Sequence, residues 1–194
     1  EYSFFVCFFP QLIAGPIVHA RTLFPQIAAG WFNRPLTWQL GISLLTVGLM
    51  KKVLLADPLA PGVAALFDHA QAGDALPGPS VLLAGLSYGL QLYFDFSGYA
   101  DMAIGLGLMF GIKLPANFRS PYKSASIIEF WRRWHITLSH FLRDYLYITL
   151  GGNRRGRLMA NNNLMITMLL GGLWHGAGWQ FILWGGLHGL LLVI

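Results

Sequence analysis

Cysteine is all but missing from this sequence: a single residue, Cys7, in 194. That excludes a disulfide framework and any cysteine-rich zinc or iron–sulfur site. Charge is scarce too, with Asp, Glu, Lys and Arg at 11% of the chain where about 25% is usual for a soluble domain. Acids are the rarer sign, eight against thirteen bases. The 23 glycines do not form a phosphate loop, since no Lys-Ser or Lys-Thr follows a glycine run. There is no serine nucleophile elbow and no His-Glu-x-x-His zinc motif. What is plentiful is apolar surface: 55% of residues are hydrophobic and the mean hydropathy is +0.54. Disorder is excluded, and an integral membrane protein is the class these values imply. The net charge of +5 does not imply nucleic acid, because the bases gather between hydrophobic runs and no nucleic-acid motif accompanies them. Glu1 at the start and the apolar Leu191–Ile194 at the end lead us to expect a piece of a longer protein. Residues 2 to 9 lack the basic region of a secretory signal.

A spanning helix needs about 20 mostly apolar residues, and several segments qualify. Residues 36 to 56 read as one helix, with Lys51 and Lys52 snorkelling near its end. Residues 75 to 94 carry no formal charge, and the apolar run continues to Ile112, broken by Asp95, Gly98 and Asp101. From Leu158 to Ile194 there is no Asp, Glu, Lys or Arg, enough for nearly two passes with a break at Gly176 or Gly178. Small-xxx-small pairs at Gly85/Gly89, Gly107/Gly111, Gly172/Gly176 and Gly185/Gly189 suit close helix packing in lipid. The fold class expected is therefore all-α, a polytopic transmembrane helical bundle with an amphipathic interfacial helix.

The segment 113–157 is different. It holds nine bases and two acids, Glu129 and Asp144, and by the positive-inside rule faces the cytosol. Residues 53 to 79 hold Asp57, Asp68 and Asp74 and no base, which fits the opposite side, although Lys51 and Lys52 point the other way and leave the topology of residues 1–79 open. Ser126-Ile-Ile-Glu129 is a capping box. From it, Ile127, Phe130, Trp131, Trp134, Leu138, Phe141, Leu142 and Tyr145 recur at helical spacing, with Arg132, His135, Ser139 and Arg143 as a polar stripe. One helix ended by Gly151-Gly152 is expected.

Ionisable groups inside hydrocarbon are costly and so are functional candidates. His175 is the foremost, central in the charge-free run, with Trp179 on its face if the helix continues. It is either a general base or a histidine that hydrogen-bonds across helices. His135, on the polar stripe, either meets a ligand drawn in by Arg132 and Arg133 or is merely interfacial. His140 points to another face, His188 packs among helices, and His19 and His69 lie in loops. Trp174 and Asp95 join Arg132 and Arg133 as candidate substrate-binding residues. Asp95 could equally orient a His or Arg from another helix, or cap a break at Gly98. No metal site is expected.

Three blocks carry a family resemblance: YFDFSGYADMAIGLG at 93–107, NFRSPYKSASIIEFWRRWHITLSHFLRDYLYITLGGNR at 117–154 and LLGGLWHGAGWQFILWGGLHG at 169–189, with FFPQLIAGPI at 8–17 a weaker fourth. Together they resemble the membrane-bound O-acyltransferase (MBOAT) family, its bacterial branch of alginate O-acetylation and teichoic-acid D-alanylation proteins, in wording closer to the alginate side. Thr149 departs from the pattern, where most relatives are expected to carry Pro. The family's proteins are much longer, so residues 1–194 would be one partial membrane-embedded domain of a multi-pass protein of the bacterial inner membrane. The resemblance implies transfer of an acyl group, acetyl in the alginate branch, from a thioester to a hydroxyl, with His175 as catalytic residue and His135 as the second family histidine. It implies no bound cofactor, acetyl-CoA or another acyl thioester as donor, and a polysaccharide or a periplasmic acetyltransferase as acceptor partner. Under that reading His175 removes the hydroxyl proton, His135 stabilises the oxyanion or leaving thiolate, and Arg132, Arg133 and Arg143 attract donor phosphates. The competing readings are D-alanyl transfer to teichoic acid, a polymer transporter, and a haem carrier using His175 and His188. The last is disfavoured, because thirteen residues along one helix turn two imidazoles to different faces.

Overall fold

The computed structural model describes residues 2–12, 14–29 and 37–194, and every regular element among them is helical. The chain divides into two compact units, residues 1–116 and 117–194. The first contains α1 (Tyr2–Cys7), α2 (Ala20–Ala28), α3 (Trp38–Met50), α4 (Asp57–Gln71) and α5 (Gly78–Met109). The second contains α6 (Ile127–Arg133), α7 (Ile136–Leu142), α8 (Arg157–His175) and α9 (Trp179–Val193).

In the first unit α3 does not stop at the lysines. A π-helical turn, Lys51–Ala56, joins it to α4, and the continuous run Trp38–Gln71 is the one described helix long and apolar enough to cross a membrane, at a mean hydropathy of 1.4. Two expectations change here. The helix expected over 36–56 extends to Gln71, residue 36 lying outside the described residues, and the stretch 53–79 is mostly helix rather than connection. Nor do the lysines snorkel from an end. Lys51 Nζ meets Asp101 Oδ2 at 2.5 Å, and Lys52 Nζ lies 2.7 Å from both Asp57 Oδ1 and Asp95 Oδ1. Pairing inside the unit removes the reason to reach for water.

Antiparallel to this run lies α5, 32 residues without a break at Gly98. It is long enough to span, but Gln91, Asp95, Asp101 and its glycines dilute its hydropathy. The contact is set by glycine. A Cβ on Gly98 would stand 2.7 Å from the Gly48 carbonyl oxygen, and one on Gly105 would stand 2.6 Å from that of Gly41, so the backbones touch where no side chain fits. Of the small pairs noted in the sequence, Gly85 meets nothing and Gly111 serves the turn after α5 with φ +73°. Beside that turn Phe8, Leu23, Ala103, Ile112 and Leu114 form a small core.

In the second unit α8 and α9 pack antiparallel, with Gly172 and Gly185 backbone to backbone. The break expected at Gly176 or Gly178 is the link between them, Gly176 being extended. α9 has 15 residues, about 22 Å at 1.5 Å each.

Replacing Gly105 by Val in the full-length parent protein should destabilise it by about 1–3 kcal/mol, the usual range for overpacking, because the obstructing atoms are backbone. Gly85→Val, with open space around it, should leave the thermal midpoint in detergent unchanged.

Candidate functional site

The helix expected to run unbroken from Ser126 to Gly151 is interrupted. Its start matches the pattern: Ser126 Oγ accepts from the Glu129 N–H at 3.1 Å, while Glu129 Oε2 accepts from Ala125 N–H at 2.8 Å. After Arg133 the backbone turns extended at Trp134 and left-handed at His135, φ +42° and ψ +54°, a conformation uncommon for a residue with a side chain. A third change of geometry, the π-helical turn Arg143–Tyr147, follows α7. The interruption at His135 is held by residues distant in sequence. Arg119 N–H donates to Arg133 O, and Ile136 N–H to Asn117 O, both at 2.9 Å. Thr137 donates to Asn117 Oδ1 from its N–H at 3.2 Å and its hydroxyl at 3.0 Å. Backbone groups freed by the break are thus satisfied without water. The polar stripe is not one helical face, since His135 is buried, 8% exposed, while Arg132 and Arg143 are exposed.

His135 Nδ1 lies 3.1 Å from Asn117 Oδ1. Because that atom also receives the Thr137 N–H, it is the amide oxygen, and an oxygen only accepts; the imidazole hydrogen is therefore on Nδ1 and Nε2 is the basic nitrogen. Burial pushes the imidazole down to about 4, with a smaller contribution from nearby His175, so His135 is neutral at physiological pH. Asn117 is itself 1% exposed, and its Nδ2 has no partner.

His175 is the last residue of α8. Its Nδ1–H donates to the Gly171 carbonyl at 2.6 Å, which again makes Nε2 the basic nitrogen. Trp174 and Trp184 lie against the ring, at centroid distances of 5.1 and 5.0 Å. The helix does not continue to Trp179, so Trp179 does not share its face. His188 sits on the next helix with Trp184 at 4.9 Å and Trp131 at 5.2 Å. The one-helix geometry assumed for a His175–His188 haem site is thus replaced by two helices, with the Trp184 ring packed against both imidazoles.

Arg132, Ser139, His140, Arg143, Tyr147 and Thr167 line a cavity of about 500 Å³ whose remaining walls come from apolar residues of α6 to α9. Arg133 is not in it. It binds Glu129 at 2.6 Å, and the Ala125 N–H together with Arg133 holds that carboxyl below the usual carboxylate range. Trp174 is exposed beside His175. Asp95 belongs to the first unit, where it is bound to Lys52 and, with Tyr99 and Phe96, lines a cavity of about 260 Å³. Neither a His or Arg partner nor a cap at Gly98 is what it provides. Among the described residues no cluster of His, Cys, Asp or Glu could hold a metal ion. Asn117 was missed by sequence reasoning; a lone Asn in a loop carries no pattern that predicts three hydrogen bonds to residues 18 and 20 positions away.

The second unit thus holds two histidines with fixed Nδ1 hydrogens that act on each other through space, and a cavity lined in part by Arg132 and Arg143, in which neither His135 nor His175 is a wall. The model of the membrane-bound O-acyltransferase family matches residues 1–194, and the chain belongs to that family. It is 53% identical over 197 residues to a peptidoglycan O-acetyltransferase of Helicobacter pylori, covering all of this chain and 37% of the relative. It is 51% identical to a probable alginate O-acetylase of Pseudomonas fluorescens, covering all of the chain and 38% of the relative. To a teichoic acid D-alanyltransferase of Bacillus subtilis it is 29% identical over 97% of the chain and 49% of that protein. The chain thus spans less than two fifths of the length of the two O-acetylating relatives.

Ser126→Ala removes the cap on a helix of only seven residues and should cost about 0.5–2 kcal/mol. Amide exchange of residues 127–133 in the full-length parent should accelerate accordingly, and Ser126→Asp should restore protection.

Proposed function

We propose that this chain is the histidine-bearing part of a multi-pass membrane O-acyltransferase that moves an acetyl group from a cytosolic thioester to a hydroxyl of a cell-surface polysaccharide. Both units are then parts of one domain in the bacterial inner membrane, with residues 113–157 on the cytosolic side and the exposed leucines of α5, such as Leu82 and Leu86, in contact with lipid. The single observation that carries the reading is the common orientation of His175 and His135: in each, Nδ1–H is committed to a fixed oxygen and Nε2 is the base. The acceptor class is supported by relatives named for peptidoglycan and alginate at 50% identity or more. The D-alanyl reading rests on lower identity.

In the mechanism His175 Nε2 takes the proton of an acceptor hydroxyl as its oxygen attacks the thioester carbonyl. The tetrahedral intermediate collapses, the carbon–sulfur bond breaks, and the proton on His175 passes to the departing thiolate. The neutral ring of His135 has its hydrogen engaged by Asn117, so its Nε2 serves as a hydrogen-bond acceptor for a second hydroxyl of the polysaccharide, orienting the acceptor while the attacking hydroxyl donates to His175, in place of the oxyanion role expected from sequence. Arg132 and Arg143, which line the 500 Å³ cavity, bind the phosphates of the donor, acetyl-CoA or an acyl carrier, Arg143 through the guanidinium nitrogens left over from its Nε contact with Asp144 at 2.8 Å. Arg133, tied to Glu129, adds charge to the approach without contact. Trp174 offers a flat face to the substrate beside His175, and Asp95 holds Lys52 in the first unit. The acetyl group passes to the polysaccharide directly or through a periplasmic acetyltransferase.

Transfer of label from radioactive acetyl-CoA in membranes carrying the full-length parent tests this. His175→Ala should lower transfer by about 10²–10⁴-fold, the range for loss of a general base, with insertion intact; transfer at the wild-type rate would remove His175 from the mechanism. Arg132→Gln with Arg143→Gln should raise KM for acetyl-CoA about tenfold or more, since a charge-assisted hydrogen bond contributes about 1.5–3 kcal/mol.

A further inference from the structure

We infer that Asn117 is a positioning residue for His135: its side-chain oxygen fixes the imidazole hydrogen on Nδ1 and leaves the basic lone pair on Nε2, without adding the charge that a carboxylate in the same place would bring. The inference rests on the reading of His135 above for its consequence in catalysis, and on geometry alone for the positioning itself.

Three observations carry it. The first is that one atom, Asn117 Oδ1, collects His135 Nδ1, the Thr137 N–H and the Thr137 hydroxyl, while the Asn117 carbonyl takes the Ile136 N–H. The imidazole and the backbone on its C-terminal side are thus fixed to the same residue. The second is that His135 is left-handed without being glycine, a conformation that persists where the surroundings over-determine it; the contacts of residues 117–119 supply that constraint. The third is the unpartnered, buried Nδ2 of the same amide. An aspartate could accept the same three hydrogens and would leave no donor without a partner, so the hydrogen-bond count alone favours Asp. The difference is charge: a carboxylate beside the ring stabilises the imidazolium, whereas an amide orients the ring and keeps it neutral.

Few other groups bear on this ionisation. His175 at the end of α8 acts on His135 through space. On α6, Arg133 is bound to Glu129, while Arg132 and, on α7, His140 line the cavity. Arg119, in the segment that carries Asn117, meets Arg133 through its backbone.

The test uses the full-length parent protein, labelled with ¹⁵N-histidine in lipid bilayers, with the His135 signals identified by their loss in His135→Gln. Wild type should show the hydrogen on Nδ1 and an imidazole that stays neutral to about pH 5. A hydrogen on Nε2 overturns the inference without recourse to any variant. Asn117→Asp should raise the titration midpoint of His135 by about one pH unit or more. Thr137→Val, which removes one partner of Oδ1 and leaves the imidazole contact, should keep the wild-type midpoint. An unmoved midpoint in a folded Asn117→Asp protein overturns the positioning role. In the acyl-transfer assay, the general base His175 gives an acid limb of its own, and a neutral-imidazole requirement at His135 adds a second protonation that steepens the fall from about tenfold to about a hundredfold per pH unit; the pH at which the steeper fall begins should move up in Asn117→Asp with the His135 midpoint. If the midpoint moves and the steeper fall does not, the positioning stands and the participation of His135 in transfer falls.

Discussion

An interrupted helix exposes N–H and C=O groups that its own turns no longer pair, and away from water these must be satisfied from elsewhere. Residues 117–119 meet that requirement at Trp134–His135, and the placement of the His135 ring depends on it. Without Arg119 N–H on the Arg133 carbonyl and the Asn117 carbonyl on Ile136 N–H, the left-handed His135 would revert to helix. On an unbroken helix the spacing would put its ring on the stripe of Arg132 and Arg143. The break instead buries the ring, and burial sets its ionisation. Backbone hydrogen bonding therefore decides a side chain's charge.

The first unit solves a related problem with charges. Two lysines in the middle of an apolar run of 34 residues would be expensive alone in hydrocarbon. They are matched by Asp57 one turn along the same run and by Asp95 and Asp101 on α5. The π-helical turn begins at Lys51, and such turns rotate the residues that follow relative to an ordinary helix. The glycine contacts at 41/105 and 48/98 bring the two backbones close enough for these ion pairs to close. Packing and charge neutralisation are one arrangement here.

The composition was enough to read a helical chain, and the glycine link between α8 and α9 was visible as Gly176 to Gly178, because glycine marks backbone breaks locally. The capping box at Ser126 and Glu129 was legible for the same reason: its partners lie three residues apart. The break at His135 was not. The apolar spacing from Ile127 to Tyr145 is periodic on both sides of it, and what interrupts the helix is a segment some 18 residues away. Lys51 and Lys52 were misplaced at a helix end by the same blindness, since the acids that neutralise them lie up to 50 positions further on. Arg133 and Arg132 are adjacent in sequence, and only their partners, Glu129 for one and a cavity for the other, separate their roles.

Proton placement narrows what the two histidines can do. A neutral imidazole has one hydrogen, and in both rings it is held by a fixed oxygen. Neither ring can donate from Nε2 to an oxyanion until it has first accepted a proton there. His175, if it takes the hydroxyl proton, becomes a donor at the moment a thiolate must leave, and a single nitrogen then serves both halves of the transfer. His135, held down to about 4 by burial, is a poor base at neutral pH and a good hydrogen-bond acceptor. That suits orientation of a hydroxyl and does not suit removal of its proton. Two histidines of one tautomer thus differ in one physical respect, the depth at which each ring is buried: His135 is buried and His175 is exposed.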